Sequence, residues 1–188
     1  IVAPDGRGVL TQYQPGHHTH QTGLYWGFTD LNGRDYFHHP GETHWKRVQA
    51  EVLAPSGASV RWRTVYHLLG ENGDPVLEET QIWAMREEDG EYYLDLEWRG
   101  KALEPITVGD YDYGGLFLRM PWSEGTDARV VNAARDRGME AEGERAMWLD
   151  LGMAVPGRSD MAHVAIFDHP DNGGFPQPWR VDGQYGVG

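Results

Sequence analysis

The sequence contains no cysteine among its 188 residues. Disulfides, thiolate zinc sites, iron–sulfur clusters and a cysteine nucleophile are therefore excluded. It also lacks an apolar run near the roughly 20 residues that a membrane-spanning helix needs, and it shows no signal-peptide pattern. We therefore expect a soluble cytoplasmic protein, although a cysteine-free chain is equally compatible with a secreted or periplasmic location.

Basic residues are in short supply. The sequence has 16 Lys and Arg residues but 29 Asp and Glu residues, which gives a formal net charge of −13. A field of that sign repels phosphate backbones and anionic lipid surfaces, so nucleic-acid and membrane partners are not expected. The sequence also lacks a phosphate-binding glycine loop and a Gly-x-Ser-x-Gly elbow, so nucleotide-binding and serine-hydrolase functions have no support.

Aromatic residues and glycine are plentiful. The chain has eight Trp, nine Tyr, five Phe, 25 Gly and 11 Pro residues. Burial of one large apolar side chain contributes about 1.5–3 kcal/mol, so a packed core is expected despite the modest hydrophobic content. The length and the absence of a linker-like segment predict one domain over residues 1–188.

The hydrophobic pattern predicts an all-β protein. Between Ser59 and Leu69, large apolar residues alternate with polar ones, and a turn follows at residues 70–75. Two further strands, Val76–Glu87 and Tyr92–Trp98, complete a three-stranded meander. Only Asp127–Gly143 has a helix-friendly composition, and Gly138 and Gly143 make any helix there short. The other predicted strands are Gly23–Thr29, Trp45–Leu53, Pro105–Gly109, Gly115–Arg119, Ala146–Leu151 and His163–Phe167.

These strands predict an antiparallel β-sandwich rather than a barrel. We expect more than about 40% strand and less than about 12% helix.

Six of the nine histidines fall between residues 17 and 44. His17, His18 and His20 lie directly before the apolar strand that contains Trp26. Imidazole suits metal binding and acid–base catalysis near neutral pH, whereas a solvated loop is the structural alternative. In a strand, only His18 and His20 would share a face. A metal-free site is the favoured interpretation, and two histidines with one carboxylate are the metal-binding alternative.

A second group of polar and aromatic residues lies near the C-terminus. Asp168 and His169 end a predicted strand, and a proline-stiffened loop then leads to Trp179 and Arg180. Asp168 could orient a histidine or accept a sugar hydroxyl, and Trp179 could stack on the apolar face of a pyranose. The structural alternative is a turn with a buried tryptophan.

Arg119 is the third candidate, because alternation along Gly115–Arg119 places it on the same face as Phe117. A guanidinium beside an aromatic ring near a strand end can clamp a carboxylate or hydroxyl group. A buried arginine paired with Asp110 or Asp112 is the structural alternative.

The motifs together resemble a family labelled "methane oxygenase PmoA". The resemblance rests on His17–Gly27, Gly114–Arg119, Ile166–Pro170 and Pro178–Val181, which occur in the same order and at similar spacing. This sequence departs from the family pattern at Thr19 and at Gln21-Thr22. The resemblance implies a sandwich similar to galactose mutarotase-like proteins, which handle carbohydrates in a groove on one sheet. Members of that family run longer at both ends, which implies short or missing terminal strands.

The leading hypothesis is a carbohydrate-processing enzyme that acts as an epimerase, a lyase or a glycosidic-bond-cleaving enzyme on a small-molecule sugar. A homo-oligomer is compatible with the sequence. The alternatives are a non-catalytic sugar-binding module and the metal-dependent oxygenase that the family label suggests. The proposed acid–base and clamping residues are His18, His20, His169, Arg119 and Asp168, and the proposed substrate-binding residues are His17, Trp26, Trp179 and Arg180.

Overall fold

A computed structural model describes residues 1–16, 18–39, 41–57, 59–112, 114–183 and 186–188. The chain is 48% strand without an α-helix in these residues, which confirms the all-β prediction. It divides into two compact units, Ile1–Gly27 with Tyr113–Gly188, and Phe28–Asp112. The single domain expected over residues 1–188 stays a prediction. Among the described residues, no helix is long and apolar enough to cross a membrane.

Eleven strands occur in the described residues. In chain order they are β1 (Leu24–Gly27), β2 (Trp45–Ser56), β3 (Ser59–Leu69), β4 (Pro75–Glu88), β5 (Glu91–Ala102), β6 (Gly115–Arg119), β7 (Ala128–Asn132), β8 (Trp148–Met153), β9 (Ala162–Phe167), β10 (Val181–Asp182) and β11 (Gly186–Val187).

The first unit is a sandwich of two antiparallel sheets. One sheet has the order β1-β6-β11-β10 and the other the order β7-β8-β9. Leu118 and Val187 from the first sheet and Leu149, Leu151 and Met153 from the second belong to one buried cluster. Because apolar side chains from both sheets share this core, the predicted antiparallel sandwich is confirmed in this unit.

The second unit contains the predicted meander, extended by one strand to the order β2-β3-β4-β5. The β3 bounds agree with the prediction, and the turn at residues 70–75 joins β3 to β4 as expected. A small core at one end of the sheet includes Leu31, Tyr36, Leu68, Val76 and Leu77. This core anchors only one end of strands that are 11 to 14 residues long.

The two faces of the β2–β5 sheet differ in chemistry. The register places Val52, Trp62, Trp83 and Leu96 in one row across the four strands. We call this side the aromatic face. The opposite side, which we call the charged face, carries the ion pairs Arg63–Glu51, Arg86–Asp95 and Arg99–Glu97. Alternation along each strand produces this separation.

The helix-friendly composition of Asp127–Gly143 was misleading. This segment forms β7 and a short 3-10 turn, Gly138–Ala141. Two β-branched residues, Val130 and Val131, favour the strand, and β7 pairs with β8 over its full length. Gly138, where the 3-10 turn begins, has φ of +55°, which a regular right-handed helix does not accommodate.

The predicted strand Pro105–Gly109 is wrong. Only Val108 forms a bridge, with Leu31. The side chain of Asn32 bonds this segment instead, since it accepts from the Thr107 amide at 2.7 Å and donates to the Pro105 carbonyl at 3.3 Å. Pro105 has no N–H to contribute to a ladder. Two main-chain bonds add to these contacts, from the Asn32 amide to the Thr107 carbonyl at 2.8 Å and from the Gly109 amide to the Asp30 carbonyl at 3.0 Å, and the pairing stops at a single bridge.

Candidate functional site

His18 and His20 lie close together in the first unit, in a turn rather than a strand. The His18 amide donates to the Pro15 carbonyl at 2.8 Å, and the Gln21 amide donates to the His18 carbonyl at 3.0 Å. The two imidazole centroids are 5.5 Å apart, and both side chains are half-buried. His17, the third predicted member, lies outside the described residues. The structure thus pairs two of the three adjacent histidines.

Arg119 is hydrogen-bonded to the main chain on both sides of the turn that carries His18 and His20. Its amide donates to the Gly23 carbonyl at 2.6 Å, and its carbonyl accepts from the Gln12 amide at 3.0 Å. The guanidinium is fully buried and donates to Gln12 Oε1 through Nε at 3.2 Å and Nη2 at 3.1 Å. Phe117 is also buried. Burial and the Gln12 contact favour a structural role for Arg119 over the predicted clamp.

Asp168 and His169 follow β9, as predicted, and Asp168 organises its own loop. Asp168 Oδ1 accepts from the Asn172 side chain at 2.7 Å, and Oδ2 accepts from the Gln177 amide at 2.8 Å. The His169 side chain is 69% exposed, and its Nδ1 accepts from the Asp171 amide at 3.2 Å. Both oxygens of Asp168 are therefore used to fix the loop.

Trp179 is a core residue, and its burial does not support the predicted role as a sugar platform. It is 6% exposed, belongs to the sandwich core, and donates from Nε1 to the Ala146 carbonyl at 2.7 Å. Trp179 therefore matches the structural alternative, a buried tryptophan near a turn, because its indole packs with the apolar residues between the two sheets.

The remaining two predicted binding residues lie at the ends of strands. Arg180 forms an ion pair with Glu142 and is half-buried. Trp26 is half-buried on β1, directly opposite Leu116 on β6. A Cβ added at Gly115 would lie 3.8 Å from the Trp26 ring, so the glycine leaves room beside the indole.

The aromatic face of the second unit presents a group that the sequence analysis did not select. Trp62 on β3 and Trp83 on β4 are direct cross-strand partners, with ring centroids 6.2 Å apart and planes within 10° of parallel. Both are half-buried. A shallow pocket of about 270 Å³ lies next to this pair, lined by Gly57, Ser59, Val60, Met85, Glu87 and Tyr92.

Polar groups continue from the tryptophan pair along the same face. Trp83 Nε1 donates to Gln81 Oε1 at 3.0 Å, and Gln81 Nε2 donates to Glu79 Oε1 at 2.5 Å. Glu79 is fully buried. Burial raises the pKa of the Glu79 carboxyl, whereas the Trp98 indole and the Gln81 amide limit the rise. The Glu79 carboxyl thus holds its proton to a higher pH than an exposed glutamate does.

One buried oxygen on this face, Thr64 Oγ1, has no hydrogen-bond partner among the described residues. Thr64 lies directly opposite Gln81, and Glu79, which Gln81 and the Trp98 indole contact, lies one row further along. Unsatisfied buried polar atoms are uncommon and call for an explanation. The tryptophan pair, Gln81 and Thr64 together mark this part of the face as a candidate site.

The sequence did contain a signal for this pair. The predicted turn at residues 70–75 is centred between Asn72 and Gly73. A hairpin symmetric about that point places Trp62 opposite Trp83, as the structure does. Because the turn sets the register of a hairpin, the position of the predicted turn was enough to predict this pairing.

The comparisons with known proteins give one finding. A family model described as a family of unknown function, DUF6807, matches residues 1–188. No curated protein and no solved structure matches the chain significantly. The resemblance to the PmoA family was therefore wrong, since the short histidine and aromatic motifs that suggested it belong to a chain that matches another family along its whole length.

The metal-dependent oxygenase alternative rested on the PmoA label and on the histidine cluster; it loses the support of the label and otherwise stays a prediction. Within the described ranges, no group of three or more His, Asp or Glu side chains is arranged to hold a metal ion.

Proposed function

Because the chain belongs to DUF6807, a family of unknown function, we propose its function from its own side chains: it binds a carbohydrate on the aromatic face of the second unit. The observation that carries the proposal is the near-parallel pair Trp62 and Trp83 beside the hydrogen-bonded chain to Glu79. A sugar ring has an apolar C–H face and a rim of hydroxyl groups, and this surface offers a counterpart to each.

The tryptophan pair would contact the apolar face of the sugar. Indoles supply large, rigid contact surfaces at a low cost in side-chain entropy. Trp62 and Trp83 are held in register by the strands that carry them, so their planes are set before a ligand arrives. The adjoining pocket extends the surface toward Tyr92, which is 40% exposed.

The polar groups would bond the hydroxyl rim. A sugar hydroxyl can bond the half-buried Gln81 amide, which contacts with Trp83 and Glu79 hold in place. A polar group in this position favours a ligand that carries hydroxyls over an apolar one. The net charge of −13 supports an uncharged small molecule over a polyanion at this face.

The test is a screen of immobilised neutral oligosaccharides, followed by calorimetry on any that bind. Trp83→Ala should weaken binding about tenfold or more, because an aromatic contact contributes roughly 1.5 kcal/mol. Tyr93→Ala is the matched control, since Tyr93 is 38% exposed on the charged face of the same sheet. Equal affinity of the wild type and Trp83→Ala would exclude the aromatic face as the binding site. Failure to bind any carbohydrate would overturn the proposal.

A second candidate function is carbohydrate processing by imidazole acid–base chemistry. The observation that favours it is the half-buried pair His18 and His20, with ring centroids 5.5 Å apart. Its test is turnover of a bound sugar, followed by NMR spectroscopy of the product. His18→Gln should abolish turnover and leave binding intact, whereas His163→Gln, an exposed control, should not affect it. A sugar that binds without turnover indicates a binding module.

A further inference from the structure

A compact group of cationic side chains lies in the second unit, around Tyr36. The Arg34 Cζ atom is 5.9 Å from the Tyr36 ring centroid, and the His44 ring centroid is also 5.9 Å from it. His39 stacks on His44 with ring centroids 5.0 Å apart and planes 22° from parallel. Three groups that can carry positive charge therefore converge in a protein whose formal net charge is −13.

The main chain and the core hold this group in place. The Tyr36 hydroxyl donates to the Leu69 carbonyl at 2.9 Å, and the Leu69 amide donates to the His44 carbonyl at 2.8 Å. Arg34 Nη2 donates to the Thr43 carbonyl at 2.8 Å. The positions of Arg34 and His44 are thus fixed by the fold, which is what a preorganised binding site requires.

The Arg34 guanidinium has spare hydrogen-bonding capacity. Arg34 Nε is buried without a hydrogen-bond acceptor among the described residues. Burial, followed by the charges of Arg34 and His39, lowers the pKa of His44, and Asp35 opposes that effect. The three groups repel one another when both rings are protonated, and an anion placed among them would relieve that repulsion.

The nearby carboxylates are occupied elsewhere. Asp35 Oδ2 contacts His38 Nδ1 at 2.7 Å, and Asp35 Oδ1 accepts from the Phe37 and His38 amides. These contacts lower the pKa of Asp35, although its partial burial opposes them. Glu104 accepts from the Asn32 side chain at 3.4 Å. Neither carboxylate is therefore positioned as the partner of the Arg34 guanidinium.

We propose that Arg34, His39 and His44 form a binding site for a small oxyanion, which is a carboxylate, sulfate or phosphate group. A guanidinium and two imidazolium rings are the side chains that bind such groups by charge-assisted hydrogen bonds. This site is separate from the proposed carbohydrate face and does not depend on it. An oxyanion carried on a sugar would make the ligand an acidic carbohydrate.

The test is an NMR titration of the histidine side chains in sodium sulfate, with sodium chloride of the same ionic strength as the reference. Bound sulfate should raise the pKa of His39 and His44 by about half a unit or more, because an anion favours the protonated rings. His163, an exposed ring paired with Asp150, serves as the internal control. Equal shifts at all three histidines would show ionic-strength effects only and would overturn the proposal.

Two variants and two sugars complete the design. His39→Gln removes an exposed ring and should leave the fold intact. It should raise the pKa of His44 in the free protein and weaken sulfate binding several-fold. Arg34→Gln should abolish the sulfate-induced shift, and unchanged sulfate affinity in both variants would contradict the site. In parallel titrations, a response to glucuronate that is absent with glucose supports a sugar-borne carboxylate, and a response to sulfate alone supports a free inorganic anion.

Discussion

Gln81 donates to the buried carboxyl of Glu79 at 2.5 Å, and both residues project from the same face of β4. The amide oxygen of Gln81 accepts from Trp83 at 3.0 Å. One side chain thus connects the proposed sugar platform to a carboxyl group whose pKa burial raises. We therefore expect the orientation of the Trp83 indole to depend on the charge state of Glu79.

Glu79→Gln should change how stability depends on pH. Because the pKa of Glu79 is raised above its ordinary value of 4.5, the folded protein binds this proton more tightly than the unfolded chain does. The stabilising contribution is fully present below about pH 4.5 and is lost as pH rises through the folded-state pKa. The free energy of unfolding of the wild type should therefore fall relative to Glu79→Gln between pH 4 and 8.

Urea unfolding at a series of pH values measures this difference. Glu97→Gln is the control, because Glu97 lies on the charged face of β5 and pairs with Arg99. Its difference from the wild type should vary little over the same range. A constant difference for Glu79→Gln as well would show that burial does not perturb the Glu79 carboxyl.

The sequence predicted the fold well where local patterns determine it. Alternation and turn residues located β3, and the bounds Gly115–Arg119 of β6 also agree with the prediction. Composition failed at Asp127–Gly143, because pairing with β8 overrides helix propensity there. The strand prediction at Pro105–Gly109 failed, because the Asn32 side chain bonds that segment.

The candidate site was harder to predict, because it depends on which side chains face solvent. Trp83 lies within β4, and Trp179 lies two residues before β10. Trp179 packs between two sheets, whereas Trp83 is half-buried on the face of one sheet. Composition does not distinguish these cases. The sequence could not predict the role of Arg119 either, because its side chain is buried against Gln12, which is 107 positions away in the chain.

Trp179→Phe should lower stability without affecting carbohydrate binding. The substitution removes the hydrogen bond to the Ala146 carbonyl and leaves space in the core, which together cost about 1–3 kcal/mol. Phe167→Ala is the control, because Phe167 is 72% exposed and should change the free energy of unfolding by less than about 0.5 kcal/mol. Urea unfolding and calorimetry provide the two readouts. Lost affinity in a folded Trp179→Phe protein would restore the stacking role that the sequence suggested.

Arg119→Ala should destabilise the first unit strongly. The guanidinium is fully buried, and its removal leaves Gln12 Oε1 without these donors, so we expect a loss of about 2–4 kcal/mol. Arg129→Ala is the control on β7, where the side chain is 71% exposed and pairs with Asp127. That change should cost less than about 1 kcal/mol. Equal losses in the two variants would argue against a structural role for Arg119.

Gly100→Ala should disturb the environment of Glu79, which lies directly opposite Gly100 on the neighbouring strand. A Cβ at Gly100 would lie 2.4 Å from Cη2 of Trp98, so the indole must move or the strand must shift. Such overpacking costs about 1–3 kcal/mol. Because the Trp98 indole limits the rise in the pKa of Glu79, its displacement should raise that pKa further.

The pKa change can be followed by carboxyl-detected NMR spectroscopy and the stability by urea unfolding. Gly173→Ala is the matched control, since an added Cβ there meets no atom within 4 Å. It should leave both quantities near the wild-type values. A Gly100→Ala protein of unchanged stability would mean that Trp98 does not lie over Gly100. Lower stability with an unchanged Glu79 pKa would separate the packing role of Trp98 from its effect on the carboxyl group.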